Sequence, residues 1–311
     1  MNLRPLSLDD RLSVTEYLRR FPPEISELTF TNLYAWRQTR PIWIDTFKKS
    51  LIFFAETKMG MVILGNPVGP VSLPDVFREY GGRITGADRF PKEKLTDLAL
   101  MPGVMIIEDR DNADYVYRRE DLATLAGRNF TRKRNHINQC LAAYNCQYEI
   151  ITAEIIPECL AMQDRWCAAR DCNEPGLCGE YRAIEETLQH YTEFGLTGCA
   201  IRIEGTIEAF TIGEALSPST AVCHFEKAMP QFKGLGQLIN QWFASDNLAG
   251  FTYVNREQDL GIPGLRRAKE TYFPDHLVEK VRIVLPGASM ESQMSNRSAA
   301  EDINRSKQFK D

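Results

Sequence analysis

KAMPQFKGLGQLINQWFASD, residues 227–246, is the stretch on which the fold turns. It reads as the end of a strand, a glycine turn and an amphipathic helix. Within it Gln231, Gly234 and Gly236 make the pattern Q-x-x-G-x-G. A helix N-terminus exposes unpaired backbone N–H groups and the positive end of the dipole, so it receives anions where no side chain blocks the approach. Gly234 and Gly236 remove those side chains and Lys233 adds charge, which makes Gln231, Lys233, Gly234, Leu235 and Gly236 a candidate phosphate cradle. The other reading is a glycine-bearing turn that only feeds a packed helix. The segment alone leaves both open.

The neighbouring sequence supplies the context. CQYEIIT is a short strand, and AEIIPECLAMQDRWCAARD places apolar residues at helical spacing, with Pro157 in its first turn. GEYRAIEETLQHYTEF is a second helix, closed by Gly195. Strands TGCAIRIEG, IEAFTIGEAL and TAVCHFEKA follow, the first two joined as a hairpin. After the glycine turn and its helix come a strand FTYVNR, a short helix IPGLRRAKETY and a strand DHLVEKVRIVL. This order resembles that of the GNAT acyl-CoA N-acyltransferase fold, with Q-x-x-G-x-G between the fourth strand and third helix. The resemblance implies that the turn's amides hold the pyrophosphate of coenzyme A.

The first part of the chain repeats this order without repeating its residues. SLDDRLSVTEYLRRF and TFTNLYAWRQ read as helices. PIWIDTF, LIFFAE, GMVILG, GRITGA and GVMIIED read as strands, with SLPDVFREYGG and PKEKLTDLAL as helices among them. The expected class is α/β (α+β): tandem GNAT-like domains with mixed central sheets flanked by helices. The expected division is a degenerate domain over 1–120, a domain carrying the glycine turn over 121–286, and a polar flexible tail over 287–311.

Composition limits the chemistry. No apolar run reaches bilayer-spanning length, and MNLRPLSLDDRL carries acidic residues where a secretory core belongs, which predicts a cytoplasmic protein without an integral membrane segment. The eight cysteines form no C-x-x-C pair and the four histidines are scattered, so free thiols and no metal are expected. The net charge of −5 argues against a generally cationic nucleic-acid binder, but YRREDLATLAGRNFTRKRNHINQC concentrates arginine and lysine at TRKRN. That cluster is either a solvated helix face or a phosphate contact.

RNFTRKRNHINQ and VNREQDLGIPGLRRAKETYFP resemble signatures of the family named for the C-terminal domain of phosphatidylglycerol lysyltransferase. The resemblance implies tandem GNAT folds and transfer of an acyl or aminoacyl group from acyl-CoA or aminoacyl-tRNA to an amine or hydroxyl acceptor. That acceptor is a small molecule or a lipid headgroup, and tRNA is a possible partner. Arg132, Lys133, Arg134, Asn135, Asn255 and Arg256 are then candidate substrate contacts. Read from the residues alone, Glu257 follows a central strand and Glu226 ends the preceding one, so either can take a proton from an ammonium or bind it. Tyr272 can protonate a leaving group, or be a core tyrosine. A protein that keeps the fold and only senses a phosphorylated ligand is the reading from another class.

Overall fold

The computed structural model describes residues 3–58, 60–95, 101–169 and 175–287, with backbone only at 175–178. The first half runs β1 (Arg4–Pro5), α1 (Arg11–Arg20), α2 (Phe30–Ala35), β2 (Ile42–Phe47), β3 (Ser50–Thr57), β4 (Gly60–Leu64), α3 (Leu73–Tyr80), β5 (Gly86–Pro91) and β6 (Met105–Glu108). A crossing segment holds β7 (Asp114–Arg118), α4 (Arg119–Thr124) and α5 (Thr131–Ala143). The second half runs β8 (Cys146–Ile150), α6 (Ile156–Ala169), α7 (Pro175–Gln189), β9 (Thr197–Ile203), β10 (Thr206–Ala215), β11 (Thr220–Ala228), α8 (Leu235–Trp242), β12 (Tyr253–Asn255), α9 (Pro263–Glu270), β13 (His276–Val278) and β14 (Lys280–Val284).

The strands form two seven-stranded sheets, ordered β1-β2-β3-β4-β5-β14-β6 and β8-β9-β10-β11-β12-β7-β13. Neighbours are antiparallel except at one matching place in each sheet, where β4 runs parallel to β5 and β11 parallel to β12. The two halves therefore share one plan: strand, two helices, three strands, helix, strand. The sixth position of each sheet is exchanged. β14, from the end of the described chain, lies between β5 and β6, while β7 lies between β12 and β13. The single strand expected over DHLVEKVRIVL is thus two strands in two sheets, parted at Glu279. Of the helix expected over PKEKLTDLAL, only a 3-10 turn at Lys92–Lys94 falls within the described residues; 96–100 and the tail from 288 lie outside them.

Local chemistry accounts for the elements. Thr29 caps α2 by accepting from the Asn32 amide, and Ser72 caps α3 through the Asp75 amide. Leu235, Leu238 and Ile239 give α8 one buried stripe, packed with Phe130, Ile137 and Cys140 on one face of the second sheet. α6 and α7 cover the opposite face, where Ala35 of α2 joins their core.

Buried polar groups join the halves. Lys280 of β14 donates to Glu27 and to Asp114 of β7, both at 2.7 Å. Arg89 completes Glu27 at 2.8 Å, and Gln258, Ser26 and Asn255 donate to Asp114. A buried carboxylate is tolerated only when matched in this way. The cluster ties both exchanged strands to the loop before α2.

Candidate functional site

Parallel pairing of β11 and β12 lasts three positions, from Thr220 with Tyr253 to Val222 with Asn255. β11 continues to Ala228 while β12 ends, so beyond Val222 backbone pairing stops and leaves an opening in the sheet that side chains bridge. Between Cys223 and Phe225 the register against β10 skips one residue, leaving His224 as a bulge at this opening.

The two sides of the opening differ in chemistry. Toward α8 and α5, Arg256 donates to Glu226 at 3.0 Å, and Asn240 of α8 donates to the other Glu226 oxygen at 2.9 Å. The Arg256 guanidinium lies 4.9 Å from the Tyr272 ring centre and 5.7 Å from that of Tyr117. Lys133 of α5 lies over the same Tyr272 ring at 3.5 Å and donates to Thr271 at 2.8 Å. Burial, with Arg256 and Arg132 nearby, lowers Lys133 to about 8. One Arg256 nitrogen is buried without a partner. Burial pushes the Tyr272 hydroxyl up, so it is a reluctant acid.

The side toward α2 is acidic. Both His224 nitrogens lie 2.9 Å from carboxylate oxygens, one of Glu214 and one of Glu257. Two acceptors require two N–H donors, so the ring is an imidazolium. Burial opposes that charge, but the two carboxylates outweigh it and raise His224 to about 9. Glu214 and Glu257 each keep a second oxygen without a partner among the described residues. Asn32 of α2 donates to Glu257 at 3.4 Å and accepts from Arg40 at 3.1 Å, so the first half completes this side. Glu257 has a left-handed backbone (φ 57°), and Asn255 receives its amide hydrogen at 2.8 Å.

The sequence candidates therefore fall into separate groups. Glu226 and Glu257 flank one opening, but Glu226 turns toward α8 and Glu257 toward α2. Asn255 is fully buried, holding Asp114 and the Glu257 backbone. Arg134 donates to the carbonyls of Leu125 and Gly127, while Arg132 and Asn135 are exposed. At the glycine turn, Gln231 and Lys233 are exposed and Leu235 is core. Gly234 takes φ 91°, and a β-carbon there would fall 2.8 Å from the His136 carbonyl carbon, so close packing of the turn on α5 accounts for this glycine. Gly236 is different: its added β-carbon would meet only Ala228, at 3.9 Å. Asp259 of the NREQD segment is buried among Tyr115, Arg110, Arg266 and the Gly261 amide, which hold it near 2 against the effect of burial. His224, Glu214, Asn32 and Arg40 are brought to this side by the structure and not by any sequence motif. No spacing signals them, because they meet only through sheet pairing and contact between halves.

Among the described residues, no cluster of histidine, cysteine, aspartate and glutamate is arranged to hold a metal, and no helix is long and apolar enough to cross a membrane.

A profile of the family described as phosphatidylglycerol lysyltransferase, C-terminal, matches residues 18–283. The chain belongs to that family. Among solved structures, a conserved protein of unknown function from Bacteroides thetaiotaomicron is 33% identical, with a TM-score of 0.86 over 92% of this chain and 99% of that one. A C-terminal domain described as that of a lysylphosphatidylglycerol synthetase from Agrobacterium fabrum is 13% identical, with a TM-score of 0.67 over 94% and 95%. L-PGS from Bacillus licheniformis is 15% identical, with a TM-score of 0.63 over 92% and 95%. The last two share the fold of this family member. No curated protein matches the chain.

Proposed function

We propose that this family member is an aminoacyltransferase that passes an aminoacyl group from aminoacyl-tRNA to an amine acceptor at the opening between β11 and β12. One observation carries the reading: a single opening has cations and aromatic rings on one side and partly unmatched carboxylates on the other. A polyanionic donor fits Lys133, Arg256 and exposed Arg132, and an ammonium acceptor fits Glu214 and Glu257. Membership of a lysyltransferase family supports an aminoacyl donor, and the packing of Gly234 against α5 weakens the case for coenzyme A at that turn.

In the reaction the acceptor ammonium gives a proton to the free Glu257 oxygen, and the amine nitrogen attacks the ester carbonyl carbon. The N–C bond forms and the ester C–O bond breaks. The departing ribose oxygen takes a proton from Lys133, which at about 8 has one to give near neutral pH, and the second proton shed by the attacking nitrogen returns through solvent to recharge Lys133. Beyond Val222 the β11 edge has no strand neighbour on the β12 side, so its backbone groups there are placed to face the developing oxyanion.

The test is transfer of a labelled aminoacyl group from tRNA to a panel of amines, with labelled acyl-CoA in parallel. Glu257→Gln should lower kcat by about 100-fold or more. Turnover of acyl-CoA alone would replace the donor. A second reading is favoured by the ion pairs that already engage Glu226 and Glu257: a non-catalytic protein sensing a phosphorylated ligand. Binding without turnover of either donor would establish it.

A further inference from the structure

Arg40 follows α2 and reaches the acidic side of the opening from the first half of the chain. Its guanidinium makes one hydrogen bond, to the Asn32 carboxamide, and no ion pair among the described residues. Its Nε is buried without a partner. The acids nearby are already matched to other cations: Glu27 to Arg89 and Lys280, Asp88 to Arg282, and Glu257 to His224. Arg40 as a whole is half-buried, but a guanidinium with one nitrogen sealed from water and no ion pair carries a desolvation cost with little return. Burial accordingly lowers Arg40 to about 10.

The Asn32 carboxamide bonds Arg40 through its oxygen and Glu257 through its nitrogen. A cation and a carboxylate, each with bonding capacity left over, are therefore held one amide group apart. Across His224, Glu214 offers a further free oxygen.

We infer that Arg40 is the anion half of a subsite for a small zwitterion, a ligand whose carboxylate meets Arg40 while its ammonium meets Glu257 and Glu214. A free α-amino acid has this chemistry, with one carbon between its two charges. The inference rests on the proposed transfer only in making this ligand the acceptor. It also explains why the second half needs the first: the carboxylates of the opening come from one and the guanidinium from the other. Arg40 is a positioning residue for the acceptor and takes no part in proton transfer.

Calorimetric titration of the full chain with L-alanine, L-alaninamide and propionate tests it. The wild type should bind L-alanine at least about tenfold more tightly than either probe lacking one charge, the loss expected for one charge-assisted hydrogen bond. Arg40→Gln should erase the preference for L-alanine over L-alaninamide while Arg40→Lys retains part of it. Because Nε has no partner to lose, Tm of Arg40→Gln should stay level or rise. The subsite is overturned if the wild type does not discriminate L-alanine from L-alaninamide or binds none of the probes. It is equally overturned if Arg40→Gln keeps the preference, or if its Tm falls by several degrees, which marks Arg40 as a strut. Transfer to amines that ignores Arg40 would sink the subsite and leave the transferase standing. Arg40-dependent binding without turnover of any donor would do the reverse.

Discussion

His224 couples the acidic side of the opening to stability as well as to chemistry. The groups facing it are Glu214 on β10, Glu257 after β12 and Thr29 at the start of α2, with Arg40 beyond Asn32. Its folded value of about 9 lies above the ordinary 6.5, so its contribution is present in full below about pH 6.5 and is lost as pH rises through about 9. The contribution is on the order of 3 kcal/mol. Denaturant midpoints of the wild type should fall across that window, while those of His224→Gln should stay nearly flat; equal slopes would remove the imidazolium. None of this was legible in the sequence. His224 meets Glu257 across 33 positions and Asn32 meets Glu257 across 225, separations that no local pattern records.

At the scale of the element, the turn before α8 separates two glycines that the sequence presents as equals. Gly234→Ala places a β-carbon against the α5 backbone at a left-handed position and should cost about 3 kcal/mol or more. Gly236→Val places its β-carbon in ordinary contact with Ala228 and should leave the unfolding midpoint nearly unchanged. The Gly236 variant is therefore the one that tests phosphate approach: weaker donor binding there, with the fold intact, would return the turn to the donor site. Helices and strands of the second half were legible because their apolar periods are strong and their turns marked. β14 was not. One strand-like run divides between two sheets at Glu279, and nothing local in DHLVEKVRIVL distinguishes one sheet from the other.

At the scale of the molecule, the exchange of β7 and β14 makes the two sheets one folding problem. A fragment over 1–120 lacks β14, and one over 121–286 lacks β7, so each has a gap at its sixth strand. Neither should give a cooperative melt alone, whereas the whole chain should unfold in one calorimetric transition. Two separated transitions would mean that the exchanged strands are peripheral. Lys280→Ala, which leaves Glu27 and Asp114 buried short of a cation, should cost about 3–5 kcal/mol and lower both sheets together. The likeness of plan between the halves was legible from element order; their mutual dependence was not, because it resides in pairings that cross the chain.

The same exchange sets a schedule for synthesis. A chain emerging from the ribosome offers β1 to β6 early, but the strand that belongs between β5 and β6 is the last of those described to appear. Until then the nascent first half carries two unsatisfied strand edges and a Glu27 matched by Arg89 but not yet by Lys280, a state open to wrong pairing. N-terminal-first folding, the usual course for a protein in two halves, is closed to this one. The early half must wait, shielded or only loosely collapsed, until β14 has been made. A ribosome stalled just before Lys280 should hold a protease-sensitive first half that becomes resistant once β14 is released.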